Sequence, residues 1–279
     1  MTETHDYDNN SAPIHPFSVC YHASRPCTST RRKPSGGTSI YAQNGGTIFR
    51  QREDVLFVRF SHASLDIIVG SVYLSPSGSG GCPSGAALTA WWHTLQEDIM
   101  DCLSTGAMLI IGTDINGRTN QGSDYLEPDP NNLLRISPQH PPIPPPRTNL
   151  DTAPINQHGK MLLKTCMITG LHIANGRCEG DIPGRRTSVG KRTGSGTATV
   201  DYFLICQQAA PLIASLHVAH TPAHMLDHCH IILTLDIPPP PNPPPHPPTS
   251  PSLLPTPTSI PSTSLSTPTP IPSTTFPST

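Results

Sequence analysis

Asp114 and Asn116 stand two residues apart after an apolar run, Met108 to Ile111, in the stretch MLIIGTDINGR. If the extended conformation continues past Gly112 and Thr113, residues i and i+2 point to the same side. A carboxylate and an amide then project together from a rigid element. The other reading is a buried strand followed by an Asx-type turn, since Asp and Asn are ordinary turn residues. Asp201 lies inside a second apolar stretch, TVDYFLIC at 199–206, where an unpaired carboxylate is costly. Asp227 and His228 come just before a third, Ile231 to Leu235. Carboxylates, an amide and an imidazole gathered at strand ends are the groups needed for metal-assisted hydrolysis of a phosphoester. Carboxylates hold a hard Mg²⁺ ion, a base or positioned water supplies the nucleophile, and cationic donors stabilise charge on the phosphate.

The elements that must position these groups are legible from periodicity. Ser39 to Ala42, Val55 to Phe60 and Leu65 to Leu74 are rich in β-branched and aromatic residues and read as strands. Tyr73 falls near the end of the last of these, where its hydroxyl could reach a site at the strand edge or simply pack. Ala86 to Leu103 repeats apolar residues at threes and fours and reads as a helix leading into the 108–111 strand. Asn156 to Gly170 reads as a second helix with Gly170 as its C-cap. Further strands are expected at Leu171 to Asn175, Thr199 to Cys206, Leu212 to Val218 and Ile231 to Leu235. Many short strands joined by turns, with two helices, imply an α/β domain with mixed sheets. Residues 122–151 are proline-rich and read as an insertion. Nearly half of the 35 prolines follow Ile237. The domain therefore ends near residue 237, and 238–279 reads as a disordered Pro/Ser/Thr-rich tail. Such a tail could serve as a spacer or engage an SH3- or WW-type module.

Charged residues make up 13% and the formal net charge is -2, so no global basic field announces a nucleic-acid binder. Any such contact must come from local patches, of which Arg185, Arg186, Lys191 and Arg192 form one; a solvated surface loop is the alternative. No apolar run approaches the length of a membrane span. Eight cysteines with no C-x-x-C pair fit reduced thiols in an intracellular protein. His220, His224, His228 and His230 invite a zinc reading, but Pro222 argues against the helix that would align them.

The chain resembles the endonuclease/exonuclease/phosphatase superfamily, and most of all the apurinic-type endonuclease domains of non-LTR (LINE-like) retrotransposons. The matching segments, in order, are TETH at 2–5, SGGTSIYAQ at 35–43, IIVGSVYLSP at 67–76, IIGTDINGR at 110–118, HGKMLLKTCMITGLHIANGR at 158–177, TVDYFLI at 199–205 and LDHCHIIL at 226–233. The resemblance implies a four-layer sandwich of two mixed β-sheets flanked by helices, here lacking the family's first strand. It implies a Mg²⁺-dependent (or Mn²⁺-dependent) endonuclease that nicks DNA, and from that role a nuclear location. Glu3 and Asp227 match metal-site carboxylates, and Tyr73 and Asn116 match groups that contact the scissile phosphate. Asp114 matches the aspartate that orients or deprotonates the attacking water. His228 matches the catalytic histidine, and Asp201 the carboxylate that accepts its ring proton. Where the family has a glutamine, a hydroxyl residue or its first strand, this chain has Thr2, Leu226 and nothing before Met1. The alternative these departures leave is an inactive remnant of such a domain with its proline-rich tail.

Overall fold

The computed structural model describes residues 19–23, 37–62, 65–79, 81–126, 145–189, 196–219 and 227–237. Glu3, Lys191, Arg192, His220, His224 and the 238–279 tail lie outside them. At the centre stands β6 (Met108–Asp114), paired on both sides, with Leu109, Ile110 and Ile111 buried. It runs parallel to β5 (Leu65–Tyr73) and antiparallel to β8 (Asp201–Ile205). Outward from β5 follow β4 (Val55–His62) and β3 (Thr47–Arg52), and outward from β8 comes the short β7 (His172–Ile173). A parallel neighbour needs a crossover; helix α1 (Gly85–Ser104) supplies it between β5 and β6. The sheet is therefore mixed, as expected.

Side chains alternate between the two faces of β4. Leu56 and Val58 pack with Tyr21, Ala23 and Ile40 of an antiparallel ribbon, β1 (Val19–Ala23) with β2 (Thr38–Ala42). Val55 and Phe57 join the larger core instead. Helix α1 sends Leu88, Trp92, Leu95, Ile99 and Cys102 into that core, and helix α2 (Gln157–Thr169) adds Leu162, Leu163 and Cys166. A second ribbon, β9 (Ile213–Ala219) with β10 (His230–Leu235), contributes Leu216 and Val218. The result is an α/β sandwich. Among the described residues, the strands outside the six-stranded sheet form two separate antiparallel ribbons.

Both helices fall where periodicity places them, and α2 shows why it starts and stops there. The Asn156 side chain accepts the Gly159 N–H at 2.9 Å, and Gly170 adopts φ 72, the left-handed turn that glycine tolerates best. Strand β3 carries little sequence signal, because TIFRQR alternates weakly. Its Arg50 and Arg52 instead reach the buried Asp98 on α1, at 3.2 and 2.8 Å. The ends of the expected insertion are also packed: Asp124, Arg147, Asn149 and Asp151 are all buried.

Candidate active site

Strand register builds the site. Tyr73 pairs with Asp114 across β5 and β6, and Asp114 pairs with Asp201 across β6 and β8. Residues opposite one another on adjacent strands share a face, so these three form one row across the sheet. Gly112 and Thr113 do not break β6, because partners on both sides hold them in the ladder: Ser71 and Val72 in β5, Phe203 and Tyr202 in β8.

The strand ends at Asp114, and of the two readings of Asp114 and Asn116 the structure shows the Asx turn and not the side-by-side pair. Asn116 adopts φ 49, a conformation that asparagine tolerates. Its backbone N–H donates to Asp114 Oδ1 at 3.1 Å, which closes the Asx turn. Its side-chain amide donates to the Leu74 carbonyl at 3.0 Å, next to Tyr73. Asn156 in turn donates to the Asn116 carbonyl at 3.1 Å. Asn116 therefore bridges the ends of β5 and β6 instead of continuing the strand.

His228 arrives from the residues before β10 and completes the group. Its Nδ1 lies 3.0 and 2.9 Å from the two Asp201 carboxylate oxygens. Its Nε2 lies 3.9 Å from Asp114 Oδ2. Burial pulls the imidazole pKa down, but the Asp201 hydrogen bond and the charges of Asp201, Asp114 and Asp227 outweigh it. The pKa rises from the ordinary 6.5 to about 9, so Nδ1–H donates to Asp201 and the ring is a cation at neutral pH. A raised histidine pKa stabilises the fold fully below the unfolded value, and that contribution is lost as pH rises through about 9. Ligand atoms of Asp114, Asp201 and His228 lie within 4.8 Å of one another, close enough to surround one ion. An imidazolium has no lone pair for a metal, so the carboxylates are the better donors, and hard oxygens suit a hard cation.

Two supports escaped the sequence. Thr187 is fully buried, and its Oγ1 accepts the N–H groups of Val200 and Asp201 at 3.0 and 3.1 Å, fixing the start of β8. Ser188 forms a bridge to His228, and the Val189 N–H donates to the Asp227 carbonyl at 2.8 Å. The stretch looks like a polar loop, and Thr187 meets its partners only through tertiary folding. Asp151 is the second support. It accepts the Thr199 N–H at 3.0 Å and pairs with Arg118 at 3.0 Å. The pattern Asn149-x-Asp151 was the one available signal, masked by the prolines around it.

Of the expected basic patch, Arg185 is tied back, donating to the Gly180 carbonyl at 2.7 Å, while Arg186 is exposed and donates to the Leu150 carbonyl at 3.2 Å. Asp227 is exposed beside His228. No helix among the described residues is long and apolar enough to cross a membrane.

No protein-family model matches the chain, and no curated protein does either. Solved structures do. The endonuclease domain of TRAS1, a telomere-specific non-LTR retrotransposon, superposes with a TM-score of 0.50 at 17% identity, over 78% of this chain and 80% of that one. A 3'-5' exonuclease (NExo) from Neisseria meningitidis gives 0.48 at 14% identity, over 78% and 80%. At such identities the likeness is one of fold, and it is the fold that the sequence resemblance implied.

Proposed function

We propose that this chain is a metal-dependent phosphodiesterase that nicks DNA, of retrotransposon origin, with residues 1–237 as its catalytic domain. One observation carries the reading: the His228 ring is held between Asp201 on Nδ1 and Asp114 on the Nε2 side, at the end of the central strands, and these carboxylates raise its pKa. Asp201 fixes the ring, so that Nε2–H, on the Asp114 side, would donate to a phosphate oxygen and stabilise the charge that develops there. Asp114, on the other side of that donor, orients the attacking water and takes its proton. Asn116 and Tyr73 line the same strand ends and contact the phosphate. Asp227, with Glu3 from outside the described residues, would hold Mg²⁺ or Mn²⁺. When bound, that ion would act as a Lewis acid on the phosphate oxygens. Arg186, with Lys191 and Arg192, would meet the DNA backbone, and Arg185 would shape the loop that presents them. The endonuclease named among the similar folds supports DNA as the substrate.

The test is nicking of supercoiled plasmid by the purified full chain. Relaxation that needs Mg²⁺, stops with EDTA and falls by about 10³-fold in Asp114→Ala is the expected result. No nicking by a protein folded by circular dichroism would overturn the proposal in favour of an inactive remnant.

A pH profile tests the charge on His228 separately. A required imidazolium keeps the rate up through neutral pH and lets it fall as pH rises through about 9. In Asp201→Asn the hydrogen bond and charge that raise the pKa are gone, so the alkaline limb should move to lower pH. A limb that does not move would show that another group sets it.

A further inference from the structure

We propose that Cys82 is a reactive thiol, with His158 as its base, that undergoes exchange with small disulfides. Cys82 Sγ lies 3.6 Å from His158 Nε2. The other ring nitrogen, Nδ1, lies 3.0 Å from the Ile115 carbonyl. A carbonyl only accepts, so Nδ1 carries the proton and Nε2 turns a lone pair toward the thiol. Burial, partly offset by the Ile115 hydrogen bond, lowers the histidine pKa and keeps the ring neutral. The thiol lies within reach of Nε2 and of the Pro83 carbonyl at 3.3 Å, and of these two the imidazole is the one that can take its proton. Nucleophile, base and orienting group thus stand in line, the arrangement that activates a weak nucleophile.

Access separates Cys82 from the buried thiols Cys102, Cys166, Cys206 and Cys229, and the histidine partner sets it apart from half-buried Cys20 and Cys178. It is half-buried between exposed Gly81 and Ser84, and successive turns, Ser79 N–H to the Pro76 carbonyl at 3.0 Å and Cys82 N–H to the Ser79 carbonyl at 3.1 Å, hold it there. His158 is 1% exposed and Cys82 half-buried, so the base is the more shielded of the pair. Cys102 and Cys166 are buried, and burial pushes Cys102 up to about 12 and Cys166 higher. Cys178 is half-buried, and burial raises its pKa. In the exchange, the Cys82 proton passes to His158 Nε2 as Sγ attacks one sulfur of a disulfide. The S–S bond breaks, a mixed disulfide forms on Cys82, and the departing thiolate takes the proton back from the imidazolium. Cys82 is oxidised by the disulfide, which is reduced to one thiol and one bound half.

The full chain is treated with limiting iodoacetamide and, in a second arm, with glutathione disulfide, and each cysteine is followed by peptide mass spectrometry. Cys82 should react about tenfold faster than half-buried Cys20 and Cys178 in both arms. His158→Gln should slow Cys82 by about the same factor and leave Cys20 unchanged. If that variant does not fold, the pH dependence in the native chain decides, because base assistance keeps Cys82 reactive at a pH where Cys20 has slowed. Equal rates for Cys82 and Cys20, a Cys82 rate unaffected in folded His158→Gln, or parallel pH dependences would each overturn the proposal.

Discussion

Replacing His228 with Gln is expected to leave the chain folded and to lower the single-turnover rate of plasmid nicking by about 10³-fold, and Asp201→Asn by a similar factor. The double variant should be little worse than either alone. The reason lies in the geometry. Asp201 meets His228 Nδ1 through both carboxylate oxygens, at 3.0 and 2.9 Å. The carboxylate therefore acts through the ring: it sets the orientation and keeps the proton that makes Nε2–H a charged donor. Groups that act as one unit give effects that do not add. The measurement is a double-mutant cycle on nicking rates, with circular dichroism to confirm folding. If the two losses simply multiply, Asp201 and His228 work independently and Asp201 does not act through the ring. A neutral amide at either position also preserves size, so a lost rate would reflect charge and not a cavity.

The parts of this site that could be read from the sequence are those fixed by local periodicity. Four apolar residues before Asp114, three of them buried, mark a central strand whatever it pairs with, and the spacing of Leu88, Trp92, Leu95 and Ile99 marks one helix face. Register is a different matter. Nothing local says that Tyr73, Asp114 and Asp201 share a row, because this follows from the crossover through α1 and the antiparallel pairing of β8. The resemblance named the same residues without the row. Asn116 shows the opposite limit. An N-terminal partner two residues away was enough to close an Asx turn, and this local hydrogen bond won over continued extension. Thr187 and Asp151 were invisible because their acceptors serve backbone N–H groups 14 and 48 residues on. In each case the polar loop residue looks solvated until the fold buries it.

Arg177 sharpens that lesson. It closes the NGR stretch at 175–177 that belongs to the resemblance, and an arginine there invites a DNA-contact reading. The structure makes it part of the interior: its Nη1 and Nη2 meet the two Asp124 carboxylate oxygens at 2.6 and 2.5 Å, with side-chain exposures of 6% and 0%. Asp124 also accepts the Ile173 N–H at 2.7 Å, which links the pair to β7. Burial pushes the Asp124 carboxyl up, but the Arg177 hydrogen bonds and charge more than offset this and leave it lowered. Its share of stability is therefore present at neutral pH and lost as pH falls through its depressed value. Arg177→Leu should strand a buried carboxylate and cost about 3–5 kcal/mol in urea unfolding, among the largest single losses in the chain. Asp124→Leu strands the guanidinium instead and should cost a similar amount. The double Leu variant removes both charges together and should cost less than the sum of the two. Nicking by the folded fraction should keep the native salt dependence, since no phosphate contact has been removed. A loss below about 1 kcal/mol, or a shallower salt slope, would place Arg177 on the DNA-binding surface instead.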